Sequence, residues 1–485
     1  MKYFSLVFLT CLPLFLFSNN IQISNVRISD QNTTDDYYMI EFDISWENSW
    51  RTSTMESNWD AAWVFIKYSL KNHHDWQHAT LHYIDGFNDG HLAPPGATVQ
   101  TYTNTPAFTD EGVGVMIYRS SDGIGDVYWK NVQLRWDYGT DLIGDNSVVE
   151  LSIFGIEMVY VPQGAFFVGS GDINSSQLGK ANNGAPFLID SENSILLGGI
   201  GPNQLSSHND DAGVGDDFNH LFLQTLPAEF PKGYEAFYCM KYEASQQQYA
   251  DFLTHLSPLQ RDNRNENGEE NFGIHTGNHY AVVDFPWRPM GNLGWPDIAA
   301  YLDWSGLRLM TELEYEKACR GPLDPISQEF AWGNSSLFEE ALTLEHVGEE
   351  NEIITGPLGY PSGYSNIASP ATFPRCGIFA ASAINKTRQE TGGSYWGIME
   401  MSSNCPELVL SIGKASSRTC QGLHGDGEIS NLGEATVDLY NDWAPATGEG
   451  LGWREGPISS REYMSDSFLK IRYYNLSLRG VRSVQ

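Results

Sequence analysis

The sequence predicts an α+β protein whose first third is all β, and three observations support this. Residues 21–150 alternate apolar and polar side chains with a period of two, which is typical of strands in a β-sandwich. The remaining residues contain short helical patterns with clear start and stop signals between long Gly- and Asn-rich loops. The 47 glycines and 13% aromatic residues also favour strands and turns over helical bundles. We therefore predict an all-β sandwich over residues 21–150 and a mixed α+β domain over residues 151–485.

The predicted strands of the N-terminal part follow one another with turn residues between them. The alternation that begins at Ile21 slips by one residue at Asn25, which predicts an irregular first strand. In the segment Tyr38–Trp46, every second residue from Ile40 onward is apolar, so one face of that strand is expected to be buried. Further strands are predicted at residues 62–70, 80–84, 112–119 and 127–138.

Residues 1–20 have the pattern of a secretory signal peptide. Lys2 precedes a largely apolar run from Phe4 to Phe17, and a short polar stretch follows. This run is too short to span a membrane, and no later segment reaches about 18 consecutive apolar residues. The sequence thus predicts an exported protein without a transmembrane span, located in the periplasm, at the cell surface or outside the cell.

The charge and the cysteines limit the possible partners and chemistry. A net charge of −33 disfavours binding to nucleic acid, because phosphate backbones would repel it. Five cysteines remain after the predicted signal peptide, and none of their spacings is that of a CxxC motif. Export would permit disulfides, but buried free thiols account equally well for them. The five are Cys239, Cys319, Cys376, Cys405 and Cys420.

The second part opens with a predicted hairpin and continues with capped helices. Residues 158–162 and 165–169 are predicted to pair around Gln163-Gly164. Capping boxes start two helices, one at Ser245 with Gln248 and one at Thr311 with Glu314. A third helix has Pro296 in its first turn and is expected to stop at Gly306. The helix after Thr311 is expected to end at Gly321.

Five segments of the chain carry recognisable motifs. They are residues 156–170 (IEMVYVPQGAFFVGS), 237–253 (FYCMKYEASQQQYADFL), 293–334 (LGWPDIAAYLDWSGLRLMTELEYEKACRG, then FAWGN), 395–409 (YWGIMEMSSNCPELV) and 478–482 (LRGVR). In this order they resemble motifs of the formylglycine-generating-enzyme (sulfatase-modifying-factor) domain family. The resemblance implies a loop-rich α+β domain related to C-type lectins, in which Arg320, Asn404 and Arg479 are structural positions. Within residues 293–334, a purely structural interpretation places Trp304 in the core and predicts a buried ion pair between Arg308 and Glu314.

The same resemblance implies redox-metal chemistry, but the metal-binding residues that this chemistry requires are absent from the expected part of the sequence. The family enzyme holds a copper ion with two cysteines near its C-terminus, and soft thiolates select Cu(I). Here Cys420 is the last cysteine, and residues 421–485 contain none, so copper is disfavoured. A related branch binds iron with histidines, but only His346 and His424 occur after residue 300, so iron is disfavoured as well.

Calcium is the cofactor that the resemblance favours. The family places a calcium site at its Asn-x-x-Glu motif, and Glu400, Ser403, Cys405 and Glu407 match those positions. Glu400 and Glu407 would supply carboxylate oxygens, and Ser403 and Cys405 carbonyl oxygens. A second family site would involve Asn366. Alternatively, Glu407 only accepts hydrogen bonds from loop amides. Ser403 replaces a usual glycine, and Pro406 a usual aromatic residue, so the loop departs from the family pattern.

Two hypotheses of function follow from these observations. The first is a non-catalytic binding or scaffold protein that recognises glycans or proteins of the cell envelope or exterior, using its 14 Trp and 24 Tyr residues as contacts. The second is a metal-dependent oxidoreductase of the formylglycine-generating or non-heme iron type. The missing cysteine pair favours the first hypothesis, and metal analysis distinguishes the two.

Overall fold

The computed structural model describes most of the chain. The described residues are 20–71, 73–103, 111–171, 177–207, 222–265, 273–277, 279–337, 342–356, 373–436, 443, 450–454, 456, 458, 462–463, 472 and 476–484. Except for Asn20, the predicted signal peptide lies outside them, as does Asn366. No helix in these ranges has both the length and the apolar character needed to cross a lipid bilayer.

The described part is mostly β with short helices. Its strands are β1 (Gln22–Asn32), β2 (Tyr37–Arg51), β3 (Asp60–Leu70), β4 (Gln77–His78), β5 (Leu81–His82), β6 (Ala97–Thr103), β7 (Glu111–Arg119), β8 (Gly123–Trp136), β9 (Val149–Val161), β10 (Phe166–Val168), β11 (Gly179–Lys180), β12 (Phe187–Ile189), β13 (Ile195–Leu197), β14 (Gln204–Ser206), β15 (Gln224–Leu226), β16 (Phe237–Met240), β17 (Ile274–Thr276), β18 (Ala281–Val283), β19 (Arg308–Leu309), β20 (Thr343–Glu345), β21 (Ile353–Gly356), β22 (Glu407–Leu410), β23 (Leu451–Arg454), β24 (Glu462–Tyr463) and β25 (Gly480–Ser483). Its α-helices are α1 (Gln246–Thr254), α2 (Pro258–Arg264), α3 (Trp295–Trp304), α4 (Glu312–Arg320), α5 (Ile378–Ser382) and α6 (Arg388–Thr391).

One long sheet runs through both parts of the chain. Its strand order is β1-β2-β8-β5-β7-β3-β9-β16-β25-β19, with β4 and β6 attached to β3 and β7. Strand β9 makes the connection, because it pairs antiparallel with the whole of β3 and, through its last four residues, with β16. The predicted boundary between residues 150 and 151 therefore falls inside a strand that belongs to both parts.

Strand β3 is buried on both faces, and its two faces point into different cores. Ala62, Val64 and Ile66 pack in a core that also contains side chains of β2, β7 and β8. Trp63 and Phe65 point the other way, into a core that contains α1 and α3. Successive side chains of a strand alternate between faces, so a strand between two layers needs apolar residues at nearly every position.

The predicted strands of the N-terminal part correspond to observed strands, with differences in length. The slip at Asn25 is confirmed, since the β1–β2 register shifts between Ser24 and Arg27 and Asn25 has a φ of 56°. The strand predicted at residues 80–84 is only Leu81–His82. The hairpin predicted at residues 158–169 is wrong. Its first arm lies in β9 between β3 and β16, and β10 pairs instead with β12.

The helix boundaries follow the predicted caps. Ser245 and Gln248 form a reciprocal capping box on α1, and Thr311 and Glu314 form one on α4. Helix α4 ends at Gly321, whose φ of 67° is a conformation that favours glycine. Helix α3 carries Pro296 in its first turn and ends at Trp304, two residues before Gly306.

The two parts are also joined by buried polar groups around Asp60 at the start of β3. Its carboxylate accepts hydrogen bonds from Trp46 Nε1 at 2.9 Å, Ser49 Oγ at 2.8 Å and the Trp50 amide at 3.0 Å. Lys241, which follows β16, lies 3.7 Å from the same carboxylate and 3.0 Å from Glu157. Burial raises the pKa of Asp60 to about 6, although Lys241 and these donors favour the charged form.

We predict that Asp60→Asn removes a pH-dependent part of the stability. Because the pKa of Asp60 is raised in the folded state, the folded protein binds this proton more tightly than the unfolded chain does. The associated stability is present below pH 4 and is lost as the pH rises through about 6. The shift of about two units corresponds to about 3 kcal/mol. Urea unfolding between pH 3.5 and 7.5 measures the difference between wild type and variant.

The control for this experiment is Asp262→Asn, on the exposed side of α2. Its difference from wild type is expected to stay nearly constant with pH. A constant difference for Asp60→Asn as well would show that Asp60 has an ordinary pKa in the folded protein.

Candidate functional site

Four separate segments meet in a buried cluster of polar side chains behind β16. Glu243 lies three residues after β16, and Arg479 lies directly before β25. The turn of residues 400–407 contributes Glu400 and Glu407, while Gly377 precedes α5. Antiparallel pairing of β16 with β25 brings the first two segments side by side. We call Glu243, Glu400, Ser403, Asn404, Glu407 and Arg479 the buried acidic cluster; each of them is at most 5% exposed.

Arg479 is the central cation of this cluster. Its guanidinium donates to Glu407 Oε1 from Nε at 3.0 Å and from Nη2 at 2.8 Å. It also donates to the Met240 carbonyl at 2.9 Å and the Met399 carbonyl at 3.0 Å. Glu243 lies 3.8 Å from Nη2. Burial disfavours the charge on Arg479, yet Glu407 and Glu243 outweigh it and raise the pKa of the guanidinium. Arg479 therefore ties β16, the 400–407 turn and β25 together.

Glu243 and Glu400 form a carboxyl pair next to this cation. Their side chains lie within hydrogen-bonding reach of each other, and burial, followed by the mutual repulsion, raises the pKa of Glu400 well above its usual range. Burial also raises the pKa of Glu243, against the opposing effect of Arg479. Backbone amides also donate to the pair, Gly377 to Glu400 at 2.8 Å and Cys405 to Glu243 at 3.3 Å. One proton shared between the two carboxyls satisfies both.

Several oxygens of the cluster have no hydrogen-bond partner in the protein. They are Glu243 Oε2, Glu400 Oε1, Ser403 Oγ, Asn404 Oδ1 and Glu407 Oε2, and Asn404 Nδ2 is also without one. Glu400 and Asn404 both have left-handed backbone conformations, with φ of 62° and 67°. Buried polar groups are normally satisfied, so a cluster of unsatisfied oxygens indicates a missing proton, water or cation.

The donor chemistry of these oxygens fits a hard cation. Calcium takes carboxylate, amide and carbonyl oxygens. With all three carboxyls ionised, Glu243, Glu400 and Glu407 would carry one negative charge more than the nearby Arg479 and Arg375 offset. The atoms that could bind such a cation are oxygens of carboxylates, a hydroxyl group, a side-chain amide and backbone carbonyls. Across the described ranges, no group of three or more His, Cys, Asp or Glu side chains is arranged to hold a metal ion. Burial raises the pKa of Glu407 to about 8, which disfavours its charged form when no cation is bound.

The predicted site residues are thus partly brought together. Glu400, Ser403 and Glu407 lie in the buried acidic cluster with Asn404 and Arg479, and the amide of Cys405 binds Glu243. Glu407 accepts two bonds from Arg479, and a backbone amide also hydrogen-bonds its carboxyl. Sequence reasoning missed Glu243, although it stands within the motif FYCMKYEAS. A glutamate at the end of a buried apolar strand is a signal that could have identified it.

The other structural positions of the resemblance are buried ion pairs and core. Arg308 binds Glu314 through Nη1 at 2.8 Å and Nη2 at 2.6 Å, which confirms the predicted pair. Arg320 binds Glu316 at 3.1 Å, Glu329, and the Phe167 carbonyl at 2.6 Å. Trp304 is 4% exposed and packs edge to face on Phe65. These contacts account for the motif residues as structural elements.

The cysteines of the described ranges are all buried. None of the five cysteines after the predicted signal peptide forms a disulfide, which resolves the choice left open by the sequence. Burial raises the pKa of Cys239 to about 12 and raises those of Cys319 and Cys376 as well. A raised thiol pKa disfavours the thiolate, which is the form that binds metal and reacts.

We predict that Arg479→Met destabilises the protein by about 3–5 kcal/mol, because it leaves Glu407 buried without its cation. Adding Glu407→Gln is expected to restore part of this loss, since the double variant lacks the unpaired carboxylate. Urea unfolding at pH 7.5 measures both. Arg27→Met is the control, because its ion pair with Glu41 involves an arginine that is 54% exposed and is expected to contribute less than about 1 kcal/mol. A double variant no more stable than Arg479→Met would contradict this account.

Comparison with known proteins gives a family for the second part of the chain. Residues 208–436 match the model of the sulfatase-modifying factor enzyme 1-like domain. A formylglycine-generating enzyme of Thermomonospora curvata is 32% identical over 95 residues, covering 17% of this chain and 31% of the relative. That of Bos taurus is 32% identical over 95 residues, covering 17% and 25%, and that of Mus musculus is 30% identical over 112 residues, covering 21% and 27%.

The chain matches about a third or less of the length of each of these relatives. The matched segment contains Glu243, Glu400 and Glu407 of the buried acidic cluster, whereas Arg479 lies beyond it. Residues 208–436 therefore contain a sulfatase-modifying-factor-like domain, and a β-rich part precedes it in the chain.

Proposed function

We propose that this chain is an exported binding or scaffold protein in which the sulfatase-modifying-factor-like domain has no catalytic role. Its partners would be glycans or proteins of the cell envelope or exterior. The proposal includes the finer fold assignment, a β-sandwich over residues 21–150 followed by a C-type-lectin-related domain over residues 151–485. The apolar core enclosed by residues of β2, β3, β7 and β8 supports the first assignment, and the family match supports the second.

One observation carries the non-catalytic role. The resemblance implies two cysteines near the C-terminus as copper ligands, and residues 421–485 contain no cysteine. The burial of the five remaining thiols supports the same conclusion, because a buried thiol with a raised pKa is a poor ligand and a poor nucleophile. The relatives are named for formylglycine-generating activity. That activity is not assigned to this chain, because the chain matches only part of their length.

We predict that the purified full-length protein does not convert the cysteine of a sulfatase-motif peptide to formylglycine, even with added copper and oxygen. The physical reason is the lack of a thiolate pair to hold Cu(I) and activate oxygen. Mass spectrometry of the peptide measures the conversion, and the Thermomonospora curvata enzyme serves as the active control. Aldehyde formation above the copper-only background would overturn the non-catalytic proposal and favour the metal-dependent oxidoreductase.

We further propose that the buried acidic cluster holds calcium, with ligands from Glu400, Glu407, Ser403 and Cys405. The unsatisfied oxygens of Glu400, Asn404 and Glu407 support this assignment. Their surplus of negative charge would be compensated by a divalent cation. Calcium in this position would have a structural role, because the cluster is buried beneath the turn of residues 400–407.

We predict that calcium raises the melting temperature of chelator-treated protein, since a ligand that binds only the folded state stabilises it by about 2.7 kcal/mol at 100 times its Kd. Glu400→Gln is expected to reduce this response strongly. Glu345→Gln, at an exposed position in β20, is the control that keeps it. Calorimetry with and without EDTA measures the response, and elemental analysis of the untreated protein identifies the metal.

Two outcomes would contradict the calcium assignment. One is an equal response to calcium in Glu400→Gln and wild type, which would indicate weak binding to surface carboxylates. The other is stoichiometric copper or iron in the untreated protein, which would favour the oxidoreductase hypothesis instead.

A further inference from the structure

A cavity of about 330 Å³ lies where the N-terminal strands meet α1 and α3. Side chains of β3 and β9 form one wall, and residues at the start of α1 and the end of α3 form the other. Residues 20–23 line it as well. The cavity is distinct from the buried acidic cluster, since none of the six residues of that cluster lines it.

Aromatic rings form the apolar side of this cavity. Trp304 is nearly buried and packs on Phe65 at 5.2 Å and on Phe154 at 4.9 Å between ring centroids. Phe65 and Phe154 are themselves stacked at 5.2 Å. Trp287 lines the cavity from another segment and is only partly buried. These contacts hold the rings of Phe65, Phe154 and Trp304 in place. The ring of Trp287 adds a partly exposed apolar surface to the cavity.

The opposite side of the cavity is polar, and its groups are preorganised by α1. Asp251 lies one turn after Gln247 on the same helix, and Gln247 Nε2 donates to Asp251 Oδ1 at 2.8 Å. The other neighbouring amide, Gln248, is held by the capping box, in which its Oε1 accepts from the Ser245 amide at 2.9 Å. Burial raises the pKa of Asp251 to about 6, opposed by the bond from Gln247. At neutral pH the carboxylate remains an acceptor with few protein donors.

The lining selects against most classes of ligand. No Lys, Arg or His lines the cavity among the described residues, so a phosphate, sulfate or carboxylate would find no countercharge. A purely apolar ligand would bury the Asp251 carboxylate without donors. A cationic ligand could pair with Asp251, so the experiment below compares a cation directly with the sugars. An uncharged ligand with hydroxyl donors and an apolar face satisfies each condition.

We propose that this cavity binds one pyranose ring of a neutral glycan, with Asp251 and Gln247 hydrogen-bonded to adjacent hydroxyls and Trp287 covering the ring's apolar face. A carboxylate beside a carboxamide accepts and donates at neighbouring positions, which matches vicinal hydroxyls of a sugar. The axial C–H groups of a pyranose give it one apolar face, and an indole ring packs against such a face. This proposal rests on the proposed function and names the site at which the glycan would be bound.

The test uses the full-length protein and simple sugars as probes. Saturation-transfer NMR with the methyl glycosides of glucose, galactose, mannose and N-acetylglucosamine is expected to detect binding of at least one of them. Asp251→Asn and Trp287→Ala are each expected to weaken the affinity for that sugar by about tenfold or more. Trp287→Phe is expected to retain part of it.

Matched controls separate the cavity from general effects. Asp262→Asn changes an exposed carboxylate on α2, and Tyr280→Ala removes an aromatic ring that is 56% exposed, and neither residue lines the cavity. Both variants are expected to bind like wild type. Melting temperatures of all variants show whether a loss of binding comes from unfolding, and the Trp287→Phe variant keeps the test decisive if Trp287→Ala unfolds.

Three outcomes would overturn the proposal. They are binding of none of the four glycosides, binding that survives in folded Asp251→Asn and Trp287→Ala, and tighter binding of tetramethylammonium or inorganic phosphate than of any sugar at the same cavity. These three outcomes concern only the glycan site. The proposal that the chain is non-catalytic is tested separately, and aldehyde formation in the peptide assay would contradict it. The two failures are therefore distinguishable.

Discussion

The structure depends on one strand, β9, whose backbone is hydrogen-bonded on both edges. On one edge it pairs with β3 over the full length of Asp60–Leu70, and on the other its C-terminal end pairs with β16. Unpaired strand edges leave backbone groups unsatisfied when they are buried. The N-terminal strands and the C-terminal domain therefore complete each other's sheet, and the core on one side of β3 contains helices of the second part.

Buried charges hold the long loops of the second part, where regular secondary structure is sparse. Glu312 at the start of α4 accepts from Ser411 Oγ at 3.0 Å, the Ile412 amide at 2.7 Å and Arg454 at 2.7 Å. Arg308, Arg320 and Arg479 make comparable contacts to carboxylates and carbonyls. Buried ion pairs contribute little net stability compared with apolar packing, but each one specifies which loop lies against which helix. In a loop-rich domain that specification is what positions the side chains.

The buried acidic cluster and the cavity between β3, α1 and α3 are two different kinds of site in the same protein. The cluster is enclosed, rich in oxygen and dominated by electrostatics, so protons or a hard cation are the species suited to it. The cavity is open, and its rings and amide–carboxylate pair suit a neutral polar ligand. Neither place contains a cysteine with access to solvent, since every described thiol is buried.

The sequence by itself determined the local structure. Period-two alternation located the main strands of the N-terminal part, and the capping boxes at Ser245 and Thr311 located two helix starts, because these features depend on neighbours within a few residues. A structural interpretation of residues 293–334 also predicted the Arg308–Glu314 pair, which the structure contains. Only the tertiary structure decided that β9 is shared between two parts, that Glu243 joins Glu400, and that residues of β3, α1 and α3 enclose one cavity. Those juxtapositions involve residues up to 239 positions apart, as for Phe65 and Trp304. Contacts over such separations depend on packing of the whole chain rather than on any local pattern.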